Sequence, residues 1–357
     1  MSEISSTEEK QAVEVADMNN LIKDRVRGLL LGLSAGDRNG GPQRLALLLI
    51  LYMLKHKEKC HESMETLWSD YYQKWYRNGG FDTGVTFIQI DTALQLNKAT
   101  ITSPYEAAKQ IYEEQSKGKF PPEGIGNAHR NVVLSMTVNN PGLSLTAMAV
   151  QESVLTHYSP KCKQIAVCCN VLCRALIQGK TWMEALQIMY DSVDTKLLTK
   201  EIEAMKIREI IKPFLEPKNS LHKKNKVTPT CFKKTGWCVD AFRSALYFVD
   251  TYTTFDEALS HSIKFAGPSN YCPVLVGAIA GCKFGYDTVL KSKELKHYYN
   301  LTPILEDCLK HFVQGDALFD KEQNLKSITL LNVLDKSGQL VADLWLHTLQ
   351  TKKQTKS

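Results

Sequence analysis

The chain contains two apolar segments in which glycine recurs at every fourth position. The first reads Gly28-Leu-Leu-Leu-Gly32-Leu-Ser-Ala-Gly36, and the second reads Gly277-Ala-Ile-Ala-Gly281-Cys-Lys-Phe-Gly285. In an α-helix this spacing places the glycines on one face, where the missing side chains allow a second backbone to approach closely. We call these segments the two glycine ladders, and we predict that both are tightly packed central helices with the chemistry in the loops beside them.

Apolar residues recur with the helical period along most of the chain, and period-two alternation is nearly absent. The pattern predicts an all-α protein. The predicted helices cover residues 22–35, 43–56, 63–76, 84–97, 104–115, 128–138, 144–155, 160–178, 181–192, 197–213, 237–249, 255–266 and 271–285. Pro42 suits the first turn of the second helix, and Thr254 is a predicted N-cap.

The composition divides the chain into one main part and three polar segments. Residues 1–20 are polar and acidic and are predicted to be a disordered tail, and residues 349–357 form a basic C-terminal tail. Residues 21–348 are predicted to be a single domain, interrupted at about 214–230 by an exposed linker rich in Pro, Lys and Asn. The single domain requires the two ladders to pack together, because they lie on opposite sides of that linker.

Charge and cysteine usage exclude several classes of function. The net charge of +6 comes largely from lysines in the linker and the tail, without the interleaved aromatics of a nucleic-acid-binding face. The longest apolar run, 45–54, is too short to span a bilayer, and the ten cysteines include no Cys-x-x-Cys pair. We expect a protein of the cytoplasm or nucleus that binds neither nucleic acid nor membranes; the oligomeric state stays open.

Beside the two ladders lie loops with clustered polar groups. The first loop carries Asp37, Arg38 and Asn39, a carboxylate, a guanidinium and an amide within one glycine-rich turn. The second loop, just before the second ladder, carries Ser269, Asn270 and Tyr271. Such groups can bind a phosphate, a ribose or a substrate amide, and a tyrosine can stack on a base. Taken singly, a loop of this kind is equally typical of a plain helix cap.

Three further turns carry polar residues at helix ends. Asp82 lies in a Gly-rich turn, where it can cap the next helix. Asn127, His129 and Arg130 open a helix whose free N–H groups favour an anion. The turn Leu155-Thr156-His157 precedes a helix that begins with proline, and we interpret it as a fastened turn rather than a catalytic one.

The order of these turns resembles the ADP-ribosylglycohydrolase family, including its J-type crystallin and selenoprotein J relatives, across roughly residues 23–285. The motifs that carry the resemblance are Gly36-Asp37-Arg38-Asn39-Gly40, Asp82-Thr83-Gly84, Gly126-Asn127-Ala128-His129-Arg130, Leu155-Thr156-His157 and the glycine-rich stretch 267–285. The resemblance implies a compact orthogonal helical bundle with an ADP-ribosylglycohydrolase-like fold. In an active member it also implies hydrolysis of N- or O-glycosidic ADP-ribose linkages with two Mg²⁺ ions.

The chain departs from the family pattern where the metal ligands are expected. Asn39-Gly40-Gly41-Pro42-Gln43 stands in place of the paired aspartates, and Pro268 and Asn270 stand where the last motif has aspartates. Mg²⁺ prefers oxygen ligands that include one or two carboxylates. We therefore expect no metal ligands and no cofactor, and a degenerate site in which only Asp37 and Asp82 can serve as a general base if activity remains.

Three functions are compatible with these motifs and departures. The leading one is a non-classical or inactive member, a pseudoenzyme that binds ADP-ribose or a similar nucleotide-like molecule, or serves as a crystallin-like soluble structural protein. The expected ligand contacts are Arg38, Asn39, Asn127, His129, Arg130, Ser269, Asn270 and Tyr271. The alternatives are an active ADP-ribosyl hydrolase with a rearranged site, and an interaction scaffold that uses the polar N-terminus and the basic linker for docking.

Overall fold

The computed structural model describes residues 2–56, 64–96, 100–118, 121–137, 144–193, 201–216, 233–269, 271–295 and 335–343. These residues form helices joined by short loops, and they contain no β-sheet, only an isolated bridge between Gly124 and Trp237. The all-α fold class is therefore confirmed. The tail at 349–357, most of the linker at 214–230 and Asn270 lie outside the described residues.

Within the described residues, fifteen α-helices are numbered in chain order. They are α1 Ser2–Gly36, α2 Gly41–His56, α3 Met64–Thr66, α4 Gln73–Arg77, α5 Val85–Leu96, α6 Pro104–Gln115, α7 Gly126–Asn131, α8 Leu145–Ser153, α9 Pro160–Ile177, α10 Trp182–Asp191, α11 Glu201–Leu215, α12 Cys238–Thr251, α13 Phe255–Ala266, α14 Pro273–Phe284 and α15 Tyr286–Leu290. A π-helix, Leu67–Tyr72, joins α3 to α4, and a 3-10 helix, Val132–Met136, continues α7. Residues 335–343 form a further helical segment.

The helices predicted from the sequence are present, with changes mainly at their ends. The largest difference is in α1, which begins at Ser2 and not near residue 22, so that helix runs through the segment where a disordered tail was predicted. That segment is polar, but its glutamates, lysine, glutamine and alanines are strong helix formers, and a helix needs only local hydrogen bonds. Two predicted helix starts are confirmed. The Thr254 side chain caps its helix by accepting a hydrogen bond from the backbone N–H of Glu257, and Pro42 lies in the first turn of α2.

The two glycine ladders pack against each other backbone to backbone. A Cβ atom placed on Gly32 would lie 2.9 Å from the carbonyl carbon of Gly277 and 3.1 Å from the Cα of Gly281. Gly28 faces Gly281 and Gly36 faces Pro273 in the same way. Contacts this short leave no room for any side chain, so the glycines set the distance between α1 and α14.

The contact between the ladders positions the loops at their ends. The loop that follows α1 and the loop that precedes α14 meet, and the Arg38 guanidinium donates a hydrogen bond to the Gly267 carbonyl oxygen. Beside this contact α2 is buried from Gly41 to Met53, in a hydrophobic core that contains residues from both sides of the predicted linker. No helix among the described residues has the length and apolar character needed to cross a membrane.

Candidate functional site

A cavity of about 1170 Å³ opens where these loops meet. Its walls come from the α1–α2 loop, the turn before α5, the residues before α7, the segment before α12 and the loop before α14. Its lining includes Asn39, Asp82, Gln89, Glu123, Gly124, His129, His157, Lys161, Lys233, Trp237, Asp240, Ser269 and Tyr271. The volume is that of a ligand pocket, and several loops supply polar groups, as small-molecule sites usually do.

Asp37 serves the backbone rather than the cavity. Its Oδ1 accepts hydrogen bonds from the backbone N–H groups of Gly40 at 2.8 Å and Asn39 at 3.2 Å, and its Oδ2 accepts from the N–H of Gln43 at 2.8 Å. The side chain is buried and does not line the cavity. Asp37 therefore caps the start of α2, with both carboxylate oxygens engaged.

Five of the ten sequence-predicted site residues line the cavity, namely Asn39, Asp82, His129, Ser269 and Tyr271. Arg38, Asp37, Asn127 and Arg130 do not line it, and Asn270 is outside the described residues. Asp82 is a non-glycine residue with positive φ, at 53°, and it is exposed. A Cβ atom on Gly41 would lie 2.7 Å from the Asp82 Cβ, so the glycine lets this turn approach α2.

Arg130 forms a buried ion pair below the cavity. Its Nε donates to Glu152 Oε1 at 2.6 Å, and its Nη2 donates to Thr156 Oγ1 at 2.6 Å. Tyr72 donates its hydroxyl to the same Glu152 oxygen at 3.0 Å. Burial alone would lower the pKa of Arg130, but the Glu152 carboxylate outweighs it and raises that pKa, so the guanidinium stays charged. The motif that suggested an anion site thus holds a structural ion pair.

Asn127 is likewise used inside the protein. Its Nδ2 donates to Ser153 Oγ at 2.6 Å and to the Cys162 carbonyl oxygen at 3.0 Å. These bonds tie the start of α7 to α8 and α9. Asn127 positions the polypeptide that borders the cavity and has no direct access to it.

Two histidines form part of the cavity floor, and both are neutral. His129 Nε2 donates to the Tyr271 carbonyl oxygen at 2.6 Å, and burial lowers the pKa of His129 to about 4. His157 Nδ1 lies 2.7 Å from Thr156 Oγ1, and burial, together with the Arg130 charge, lowers the pKa of His157 to about 3. His157 was predicted to fasten a turn; the structure also places it on the cavity.

Trp237 and Glu123 are cavity residues that the sequence did not indicate. Trp237 is 39% exposed, a large fraction for a tryptophan, and its Nε1 donates to Glu123 Oε2 at 2.9 Å. Glu123 also accepts from Lys161 Nζ at 2.9 Å and from Ser159 Oγ at 3.0 Å. The one signal of a cavity residue in the sequence was a tryptophan directly after Thr235-Gly236, at the end of a polar segment. The helical periodicity assigned this tryptophan to the start of a helix instead.

Comparison with known proteins gives a family assignment. The chain matches the ADP-ribosylglycohydrolase family over residues 18–322, which is more than half of its length. The chain belongs to the ADP-ribosylglycohydrolase family. A solved structure titled "ADP-ribosylglycohydrolase-related protein complex" superposes with a TM-score of 0.56, at 14% sequence identity, covering 90% of this chain and 99% of that one, which supports the fold alone. Comparison with curated proteins gives no match.

Among the residues that the structure describes, the positions of the first family motif do not fit a two-metal centre in this ADP-ribosylglycohydrolase family member. Among the described residues no three His, Cys, Asp or Glu side chains come together in a group that could hold a metal ion. Asp37, at the position of the family's first motif, has both oxygens engaged by backbone N–H groups. The positions that follow are Gly40, Gly41 and Pro42, whose side chains carry no oxygen. Mg²⁺ is usually bound through one or two carboxylates, and Gly40, Gly41 and Pro42 supply none.

Proposed function

We propose that this protein is a ligand-binding member of the ADP-ribosylglycohydrolase family, which binds ADP-ribose or a similar nucleotide-like molecule in the cavity without metal-dependent hydrolysis. The observation that carries the proposal is an exposed, anchored tryptophan beside a tyrosine in a cavity of about 1170 Å³. A crystallin-like structural protein needs a durable core but has no use for such a pocket. A scaffold needs an exposed apolar surface instead.

The aromatic residues form one corner of the cavity. A Cβ atom on Gly236 would lie 2.7 Å from Tyr271 Cε1 and 3.0 Å from Cδ1, so the tyrosine ring packs against the backbone beside Trp237. His129 holds the Tyr271 backbone and Glu123 holds the Trp237 indole nitrogen. Two held aromatic rings favour a planar, aromatic group such as a nucleobase, because stacking on them costs little ordering entropy.

The charges on the cavity wall also favour a ligand with both polar and aromatic parts. Lys161 and Lys233 supply positive charge, while Asp82, Asp240 and Glu123 supply negative charge. Hydroxyl groups of a ribose can donate to these carboxylates, and phosphate oxygens can accept from the lysines.

Isothermal titration with ADP-ribose tests the proposal. Base–aromatic stacking is worth about 1–3 kcal/mol, so Trp237→Ala should weaken binding by roughly 5- to 150-fold. The control is Met183→Ala, which removes another exposed large apolar side chain, on α10 and outside the cavity, and should leave the affinity unchanged. AMP should compete with ADP-ribose and ribose 5-phosphate should compete poorly, because only AMP carries the base.

The proposal fails if wild-type protein does not bind ADP-ribose, or if Trp237→Ala and Met183→Ala bind it equally well. Thermal shift provides a second reading, since a ligand that binds only the folded state raises the unfolding temperature. A structural, crystallin-like role predicts no shift at any ADP-ribose concentration.

One observation favours the alternative of an active hydrolase with a rearranged site. Asp82 is an exposed carboxylate on the cavity with a left-handed backbone conformation, which costs about 1–3 kcal/mol and is often found at functional sites. Its role as general base predicts that Asp82→Asn abolishes release of ADP-ribose from modified arginine or serine. Asp70→Asn, which changes an exposed carboxylate in the π-helix, is the matched control. Absence of any release by wild-type protein excludes this alternative.

A further inference from the structure

The hydroxyl of Thr156 joins a buried cation to a cavity histidine. Its Oγ1 lies 2.6 Å from Arg130 Nη2 and 2.7 Å from His157 Nδ1, and the residue is fully buried. Within the described residues these are the two hydrogen-bond partners of the Thr156 hydroxyl. Each of the three groups therefore has its hydrogen positions restricted by the other two.

The direction of these hydrogen bonds follows from what each group can do. A guanidinium has no acceptor, so Arg130 donates its N–H to the Thr156 oxygen. The hydroxyl proton then needs an acceptor of its own, and His157 Nδ1 is the one in reach. If Nδ1 carried a proton instead, the buried hydroxyl proton would have no partner, at the cost of a lost buried hydrogen bond.

We propose that Arg130 and Thr156 act as a relay that fixes His157 in the tautomer with the proton on Nε2. The bare Nδ1 faces Thr156, and the Nε2–H faces the cavity as a hydrogen-bond donor. Arg130 and Thr156 are positioning residues in this arrangement, since they act on a ligand through His157 and do not touch it.

The position of Nε2 supports this assignment. A Cβ atom on Gly124 would lie 3.4 Å from His157 Nε2, an ordinary contact distance, so this nitrogen lies beside Gly124, which lines the cavity. No hydrogen-bond partner of Nε2 occurs within the part of the chain that the structure describes. Burial lowers the pKa of His157 to about 3, which keeps the ring neutral at neutral pH. A neutral imidazole carries a single ring proton, so it exists in one of two tautomers.

The Arg130 end of the relay is equally constrained. Glu152 accepts the Arg130 Nε–H, and Tyr72 donates to the same carboxylate oxygen, so the guanidinium cannot rotate without breaking a buried ion pair. The ion pair therefore holds the Nη2–H toward Thr156. As a result, the His157 Nε2–H is a fixed hydrogen-bond donor on the cavity. It suits a phosphate or hydroxyl oxygen of a ligand and disfavours a ligand group that is itself a donor.

The tautomer can be measured without any ligand. Uniformly ¹⁵N-labelled protein at neutral pH gives long-range ¹H–¹⁵N correlations for each imidazole, and His157→Gln assigns the signals of His157. We expect a protonated Nε2 and a bare Nδ1 in wild type and in Thr156→Ser, which keeps the hydroxyl. Thr156→Val keeps the shape but removes the hydroxyl, and it should shift His157 to a mixture of the two tautomers.

A protonated Nδ1 in wild type overturns the relay, as does a Thr156→Val spectrum equal to that of wild type. The effect on affinity rests on the proposed function: Thr156→Val should weaken ADP-ribose binding about tenfold and Thr156→Ser should restore it. Equal affinity in Thr156→Val and wild type would show that the ligand does not use the Nε2–H. If wild type binds no ADP-ribose, the proposed function fails while the tautomer result still decides the relay.

Discussion

Replacing Gly32 by alanine tests the packing of the two ladders. The new Cβ would lie 2.9 Å from the Gly277 carbonyl carbon and 3.1 Å from the Gly281 Cα, whereas ordinary van der Waals contact begins near 3.4 Å. The atoms in the way belong to the backbone of α14, so no side-chain rotation can relieve the overlap. The two helices must move apart, and the contacts along the whole ladder loosen with them.

The expected loss follows from this geometry. Overpacking a core costs about 1–3 kcal/mol and occasionally more, and the overlap with backbone atoms places Gly32→Ala at or above the upper end of that range. The better helix propensity of alanine returns about 1 kcal/mol, because Gly32 lies inside a helix. We expect a net loss of about 2 kcal/mol or more, a sizeable fraction of the total stability of a typical protein.

Urea unfolding followed by far-ultraviolet circular dichroism measures the loss. Gly126→Ala is the control, because its Cβ would meet its nearest atom at 3.7 Å, an ordinary contact. With a slope of about 1–3 kcal/mol per molar urea, the Gly32→Ala midpoint should fall by about 0.7 M or more, while the control stays near wild type. Equal midpoints for the two variants would refute the backbone packing of the ladders.

Three further predictions concern the polar groups around the cavity. Asp37→Asn should lower the free energy of unfolding by about 1–3 kcal/mol, because one oxygen must replace two that accept backbone hydrogen bonds; unchanged thermal unfolding would contradict its role as a cap. Arg130→Met should lower the free energy of unfolding by about 3–5 kcal/mol, because it leaves the buried Glu152 carboxylate unpaired. Lys74→Met, which removes an exposed ion pair, should lower it by about 1 kcal/mol or less. Calorimetric melting of both variants compares the two losses. In the folded state the pKa values of His129 and His157 are about 4 and about 3, below the value of about 6.5 in an unfolded chain. Between these values the unfolded state binds more protons than the folded state, so the free energy of unfolding should fall as the pH drops below about 6.5. His157→Gln should flatten this fall in urea titrations between pH 4 and 7, and an equal pH dependence in both proteins would contradict the neutral His157.

Local sequence patterns predicted the helices and the packing of the ladders well, because both depend on short-range rules. A glycine at every fourth position has few uses in a helix other than close backbone contact, and Gly28 against Gly281 shows that contact. Thr254 capping the backbone of Glu257 is another local feature that the sequence predicted. Polar character was a weaker guide, since the segment at 2–20 was predicted to be disordered and is helical.

The cavity was harder to predict because its residues meet only in three dimensions. Arg38 reaches the Gly267 carbonyl oxygen, far away in the chain, once the ladders cross. Arg130 stood in a motif that suggested an anion site, but Glu152 neutralises it, and no pattern in the sequence pairs the two. Trp237 and Glu123 come together through the bridge between Gly124 and Trp237, a contact between two separate loops.

Calorimetric titration of ADP-ribose into the protein, first in EDTA and then in excess Mg²⁺, tests most directly whether the protein binds this ligand without metal. We expect binding in EDTA, near one ligand per chain, with an affinity that Mg²⁺ does not change. Binding that appears only with Mg²⁺, or Mg²⁺ itself binding at two tight sites, would contradict this expectation.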